Sequence, residues 1–383
     1  MRVLLVSPFS PAARHEHAAA DTIVQLVPRL ARQVELFVYS PQNERADEGQ
    51  AMGYTALVPQ ATHTPSVRDR LGASPAWLRQ AWPHAATDEV LELVGRLRPA
   101  VVHAEYLQSA EVVAACRNTV LTLHDITENV MAESYRNSSG VERAYRLAEL
   151  VRTRRFERAA MRQAGVLMTL SEADRAGAAQ YNQHTMLIRP GIDIGPVAWA
   201  APPAGQPPRL VFAGAMWRRA NVLAAQLLAD QVMPLVWQKF PAAELRIVGA
   251  RPTDEVLAMS ERDRRVVVTG AVPDLRDEML AAHAVVVPSV VGGGVLMKVV
   301  HAMALGCPVV TTPGPARSVD ADDSMLFEGT TPEELATAVT TAIHDPELAA
   351  ARGRNARQHI DRTFRWDDTV RAYLDAYAIA SNR

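Results

Sequence analysis

The chain has 383 residues, enough for two ordinary domains, with 48% hydrophobic and 21% charged residues, as in most globular proteins. A formal net charge of −2 removes the electrostatic case for a nucleic-acid partner. Two cysteines, Cys116 and Cys307, exclude a disulfide framework and fit a reducing cytoplasm, no run approaches the ~20 apolar residues that cross a bilayer, and the start "MRVLLVSPF" is too short for a signal segment.

Short apolar runs recur between longer stretches of helical spacing. The first half holds "RVLLVSPF" (2–9), "VELFVYS" (34–40), "AVVHAEY" (100–106), "TVLTLHD" (119–125), "GVLMTLS" (165–171) and "TMLIRPG" (185–191). Pro28 falls inside the first helical pattern and predicts a kink or an early end there. Residues 191–207 are rich in Pro and Gly and read as a linker. The second half holds "RLVFAGAM" (209–216), "AELRIVGA" (243–250), "RVVVTGAV" (265–272), "AVVVPSV" (284–290), "PVVTT" (308–312) and "SMLFE" (324–328). The tail "FRWDDTVRAYLDAYAIASNR" (364–383) has the pattern of an amphipathic helix.

These runs are continuous rather than alternating, as strands buried on both faces of a parallel sheet require. Strand–helix alternation in both halves predicts an α/β protein of two doubly wound, Rossmann-like domains, residues 1–190 and 208–363. The carboxyl ends of two such sheets are expected to face a central cleft, where ligands of open sheets bind.

The densest cluster of chemistry is "GGGVLMKVVHAMALGCPVV" (292–310). Gly292, Gly293 and Gly294 follow a strand pattern and lead toward a helix expected to run to about Leu305, stopped by Gly306 and Pro308. Only two lysines occur in the chain, Lys239 and Lys298, and Lys298 stands four residues after the last of these glycines. A glycine loop at a helix N-terminus suits a phosphate, through free N–H groups and the helix dipole. The glycines alone fit a tight turn equally well; the lysine favours the phosphate. The loop is neither a P-loop nor a dinucleotide fingerprint, because both spacings are missing.

The run from Pro288 to Thr312 resembles the donor-binding signature of family-4 glycosyltransferases with the GT-B fold. The order of further matches extends the resemblance over most of the chain: "VVHAEYLQSA" (101–110), "TVLTLHDI" (119–126), "RRFERAAMRQAGVLMTLSEAD" (154–174), "IRPGID" (188–193), "LVFAGAMWRRAN" (210–221), "ELRIVGARP" (244–252), "VVVTGAVPDLRDEMLAAHAVVVPS" (266–289) and "FRW" (364–366). It implies transfer of a sugar from a nucleotide diphosphate sugar to an unknown acceptor, with retention and with no metal or other cofactor. It places the donor diphosphate at Gly292, Gly293, Gly294 and Lys298, with Gly214, Arg218 and Arg219 beside it and Val272 bordering the base. It puts His124 and Asp125 near the transferred sugar, and His17, Glu105 and Tyr106 on the acceptor side. The final helix, 364–383, is expected to cross back to the first domain.

Several positions depart from that pattern. His301 stands where the family has a glutamate that holds the ribose; a neutral imidazole accepts at one nitrogen only. Ala18-Ala19 stand where a Gly-Gly often approaches the ligand, next to His15, Glu16 and His17 in a polar loop. These departures leave open a nucleotide-sugar-binding pseudoenzyme or regulatory partner, and a GT-B-fold epimerase. "DAD" (320–322) matches the metal motif of the other large glycosyltransferase fold, but its place late in an α/β repeat reads as a solvated turn. The arginine-rich segment 136–165 reads as a solvated helix face, with an anionic acceptor or weak membrane-surface contact as the alternative. Residues 59–84, with Trp77 and Trp82, read as an acceptor or lipid contact or as local packing.

Overall fold

The computed structural model describes residues 1–12, 18–45, 47, 49–60, 74–136, 138–193, 195–203, 205–289 and 294–383, with the backbone alone at 18–21. Two compact units are present, Met1–Gly191 with Trp366–Arg383, and Ile192–Arg365.

The first unit runs β1 (Arg2–Val6), α1 (Ala18–Ala31), β2 (Glu35–Tyr39), β3 (Thr55–Leu57), α2 (Ala76–Ala81), α3 (His84–Leu97), β4 (Val101–Glu105), a 3-10 segment (Leu107–Ala114), β5 (Thr119–Leu123), α4 (Thr127–Arg136), α5 (Gly140–Gln163), β6 (Val166–Thr169), α6 (Glu172–Ala179) and β7 (Thr185–Leu187). All strand pairs are parallel, in the order β3-β2-β1-β4-β5-β6-β7. Every residue of β4, β5 and β6 is buried, which is why their sequences are continuous rather than alternating.

The second unit runs β8 (Arg209–Ala213), α7 (Arg219–Leu227), a π turn (Leu228–Val232), α8 (Met233–Lys239), β9 (Glu244–Val248), α9 (Asp254–Arg262), β10 (Val266–Gly270), α10 (Leu275–Leu280), β11 (Ala284–Val287), α11 (Met297–Ala304), β12 (Val309–Thr311), α12 (Pro313–Ser318), β13 (Phe327–Glu328), α13 (Pro332–His344) and α14 (Pro346–Thr363). Its order is β10-β9-β8-β11-β12-β13, again all parallel. Alternate residues of β8 feed opposite cores. Leu210 and Phe212 pack with Val232, Val236 and Val339 on one face, and Val211 and Ala213 with Val299, Val300 and Met303 on the other. Each large apolar side chain so buried contributes about 1.5–3 kcal/mol relative to exposure.

The C-terminal helix α15 (Trp366–Ser381) belongs to the first unit. It buries Tyr373, Ala376, Tyr377 and Ala380, one helical stripe. Thr369 Oγ1 donates to the Arg189 carbonyl at 2.7 Å, and the Arg29 guanidinium lies 4.3 Å over the Trp366 ring.

Three expectations change in detail. Helix α1 is not ended by Pro28 but runs on to Ala31, past the one N–H that proline lacks. Helix α11 starts at Met297 rather than directly after the glycines, because Leu296 is an extended N-cap with ψ 98°; Lys298 is therefore its second residue. The strand expected over 324–328 shortens to Phe327–Glu328, because the N–H groups of Met325 and Leu326 turn back onto the Asp322 carbonyl.

Candidate functional site

In the second unit the strand order reverses between β8 and β11, so the connections leaving these neighbouring strands go to opposite faces of the sheet. The carboxyl ends of strands at such a reversal are where open sheets bind ligands. Gly214 follows β8 there, and the loop leading to α11 follows β11. The ends of β8, β9 and β10 are drawn together through glycines. Gly214 N–H donates to the Val248 carbonyl at 3.0 Å, and Gly249 N–H to the Gly270 carbonyl at 2.9 Å. Gly249 has φ +150°, and a Cβ there would lie 1.7 Å from the Gly214 oxygen, so no other residue fits.

Lys298 reaches this point from α11. Its Nζ donates to Asn221 Oδ1 at 2.8 Å and lies 4.7 Å from the Phe212 ring centroid. A Cβ on Gly214 would stand 2.7 Å from Asn221 Nδ2 and 3.0 Å from Lys298 Nζ, so the absent side chain is what admits both groups. Asn221 is fixed in turn by its amide donating to the Ala215 carbonyl at 2.9 Å. Burial first, and the Arg218 charge second, push the Lys298 ammonium down to about 7. Among the described residues no carboxylate forms an ion pair with Lys298; its acceptor is a neutral amide. Part-buried cationic groups without a counter-charge are poised for an anion.

Arg218 is exposed at the N-cap of α7, and Arg219 is turned to an exposed ion pair with Glu255 at 2.8 Å. Of these two arginines, it is Arg218 whose charge bears on Lys298. Gly294 has φ +64°, a left-handed turn entering α11. Val272 is half-buried just after β10. His301 is exposed one turn beyond Lys298, and desolvation together with the Arg276 charge lowers its pKa. Both effects favour the neutral imidazole. Gly292, Gly293 and His17 lie outside the described residues.

The first unit builds a second polar centre at the ends of β4 and β5. Glu105 is 1% exposed. Its Oε1 meets His124 Nε2 at 2.6 Å and its Oε2 meets His103 Nε2 at 2.8 Å. Tyr373 adds longer contacts of 3.4 and 3.5 Å from α15. Burial pushes the Glu105 carboxyl up, but the bonds from His103 and then His124 overrule it and hold it at about 2. The Tyr106 ring stacks on His124 with centroids 3.9 Å apart, and Tyr106 holds φ +72°, which is uncommon for an aromatic residue. Glu105 is thus covered by protein, and His124 is the more exposed partner of the pair. Asp125 accepts from Thr127 Oγ1 at 2.9 Å, while Glu157 accepts the N–H groups of Thr127 and Glu128 at the start of α4.

Trp77 and Trp82 are packing residues. Trp82 is fully buried and donates to Thr87 Oγ1 at 2.9 Å, and Trp77 donates to Thr153 Oγ1 at 3.1 Å. Residues 61–73 of that segment lie outside the described residues. Asp322 accepts from the Ser324 N–H at 2.9 Å in a turn, and among the described residues no three His, Cys, Asp or Glu side chains cluster as metal ligands. On α5, ion pairs join Arg146 to Glu142, Arg152 to Glu149 and Arg158 to Glu128. No helix among the described residues is long and apolar enough to cross a membrane.

Residues 207–345 match the family described as Glycosyl transferases group 1, and residues 19–195 match Glycosyltransferase Family 4, so that the two together take in most of the chain. The chain belongs to the family-4 glycosyltransferases. Solved structures agree on the GT-B architecture of two Rossmann-like domains. Sucrose-phosphate synthase from Thermosynechococcus elongatus is similar at a TM-score of 0.73 and 18% identity, covering 98% of each chain. HepE of Anabaena, in complex with UDP and glucose, is similar at 0.70 and 16%, covering 99% of each. WaaG, a glycosyltransferase involved in lipopolysaccharide biosynthesis, is similar at 0.69 and 16%, covering 98% of this chain and 99% of its own. No curated protein matches the chain.

Within this glycosyltransferase, sequence reasoning missed Asn221, His103, Tyr373 and Tyr377. Asn221 stands three residues after Arg218, and its pairing with a lysine 77 residues away is invisible without the fold. His103 stands two residues before Glu105, a strand spacing that puts both on one face.

Proposed function

We propose that this glycosyltransferase takes its sugar from a nucleoside diphosphate sugar, without a metal and with retention at the anomeric carbon. The observation that carries the reading is Lys298, held by a neutral amide and by the bare backbone of Gly214 at the β8–β11 reversal. A diphosphate there would meet the ammonium, the nearby Arg218 and backbone N–H groups, which together supply the charge that a divalent cation supplies elsewhere. HepE in complex with UDP-glucose makes uracil the first base to try.

In the retaining course, the bond from the anomeric carbon to the leaving phosphate oxygen breaks. The acceptor hydroxyl adds to the same face, and its proton passes to that phosphate oxygen. No protein nucleophile takes part. Lys298 and Arg218 stabilise charge growing on the leaving group, worth about 3–4 kcal/mol for one well-placed donor. His124 holds a sugar hydroxyl. His301, neutral and with one acceptor nitrogen, holds the ribose by one hydroxyl rather than two.

The acceptor is approached at a membrane surface in this reading. Four large apolar residues of α5 point to solvent: Val141 (90% exposed), Tyr145, Leu147 and Val151. Val141 and Val151 lie on the side opposite the buried Glu149, Leu150, Thr153 and Glu157, with Tyr145 and Leu147 at its flanks, among arginines, as on a helix lying on anionic lipid.

The experiment is turnover of UDP-, GDP- and dTDP-glucose with and without EDTA, with the product anomer read by NMR. Turnover of one donor that survives EDTA and yields the α-anomer supports the reading. Activity abolished by EDTA, or an inverted product, refutes it.

A further inference from the structure

The buried centre of the first unit is more elaborate than its packing needs. A carboxylate out of water costs several kcal/mol unless its lone pairs are filled, and apolar residues of the same volume would serve a core as well. Glu105, His103, Thr122, Tyr373 and Tyr377 are all buried, and Tyr106 is 5% exposed. His124, with a side chain 14% exposed, is the member of this group that reaches solvent.

The arrangement leaves His124 little freedom. A carboxylate only accepts, so the nitrogen facing each Glu105 oxygen carries the proton. His103 cannot turn away, because its Nδ1 accepts from Tyr377 Oη at 2.8 Å while its Nε2 faces Glu105, with Thr122 Oγ1 at 3.0 Å. Oε2 is therefore taken by His103, and Oε1 is left for His124 Nε2. Tyr106 clamps the face of the His124 ring. A neutral imidazole protonated at Nε2 has its lone pair at Nδ1.

From this geometry we infer that Glu105 is a positioning residue, which fixes His124 as the Nε2–H tautomer so that Nδ1 accepts a hydrogen bond from a sugar hydroxyl of the substrate. The inference rests on the reading above for the substrate, but the tautomer stands or falls without it. Tyr377 of α15 acts at one further remove, by holding His103 in place, while Tyr373 touches Glu105 itself.

Glu105→Gln tests this. One terminal group of glutamine donates and cannot accept, so the two histidine N–H groups can no longer both be received. His103 is held from its far side, so His124 is the one to change. The readout is the imidazole ¹⁵N spectrum of histidine-labelled protein, with His124 assigned by its loss in His124→Gln. The wild type should show His124 bare at Nδ1 and protonated at Nε2, and Glu105→Gln should reverse or average the two nitrogens. A wild-type His124 protonated at Nδ1, or a His124 signal unchanged in the variant, overturns the inference. If the variant fails to fold, the wild-type spectrum alone decides.

Hydrolysis of UDP-glucose supplies a second readout. Glu105→Gln should lower kcat about tenfold or more with KM within about twofold, the pattern of lost positioning rather than lost binding. The double variant with His124→Gln should be no slower than His124→Gln alone. Independent, multiplying losses would show that Glu105 does not act through His124. A wild type that leaves UDP-glucose intact counts against the proposed donor, while the ¹⁵N spectrum still decides the role of Glu105.

Discussion

Lys298 and Asn221 meet at 2.8 Å across the bare backbone of Gly214, one from α11 and the other from α7. Three features of the sequence far apart in number therefore form one device. Asn221→Ala removes the acceptor that aims the ammonium and should weaken nucleotide diphosphate binding about 10–100-fold, as expected for a hydrogen bond to a charged group. Gly214→Ala should weaken it at least as much, since its methyl would enter the space of both groups. Isothermal calorimetry checks both, with melting curves to show that the fold survives.

Protons should move with the nucleotide. Lys298 is pushed down to about 7 by burial and then by Arg218, and a bound diphosphate restores its charge. At about pH 8, binding should take up close to one proton, read from calorimetry in buffers of different ionisation enthalpy. Lys298→Met should abolish the uptake, and Arg218→Ala should reduce it.

Stability carries the same signature. The unfolded lysine keeps its proton up to its ordinary value of 10.5, the folded one only to about 7. Between those values the unfolded chain binds more protons, so this group's contribution to stability rises with pH across the window. Lys298→Met should therefore be more stable than the wild type at pH 7, with the gap closing toward pH 10.

How much of this was legible in the sequence follows from what each residue does locally. Continuous runs such as those of β4 and β5 announced buried parallel strands, because burial on both faces leaves no room for alternation. Lys298 stood out by its rarity among arginines and its distance from the glycines. Asn221 did not, because an asparagine near a helix start is usually only a cap, and its lysine partner comes from another repeat. The resemblance puts Glu105 on the acceptor side, and the fold buries it beneath His124; a strand sequence does not say which polar residue lies inside. The shortened β13 and the late start of α11 reflect turns closed by backbone hydrogen bonds that leave no mark in composition.

Trp82 is a core residue. It is fully buried, edge-on to Tyr39 with ring centroids 5.9 Å apart, and Trp82→Ala should cost about 3–5 kcal/mol, measured by denaturant unfolding. In Tm terms the loss should dwarf that of Asn221→Ala. A near-neutral result would return this tryptophan to the list of ligand contacts.

The outward face of α5 should bind anionic vesicles. Co-sedimentation with phosphatidylglycerol vesicles is expected to exceed that with phosphatidylcholine, and to fall with added salt. Val141→Asp with Val151→Asp should remove it while leaving the melting temperature unchanged. Equal binding to neutral vesicles, or binding untouched by the two substitutions, would contradict a lipid-facing role, and concentration-dependent self-association lost in the same variant would point to a second copy instead.

The proposed role of Lys298, seating a nucleoside diphosphate without a metal, is tested by calorimetric titration of UDP, GDP and dTDP into the wild type and Lys298→Met, each in EDTA. One nucleotide should bind the wild type in EDTA and lose about 100-fold or more in the variant, as when a buried charge contact is removed. Equal binding to both proteins, or binding that appears only when a divalent cation is restored, would contradict that role.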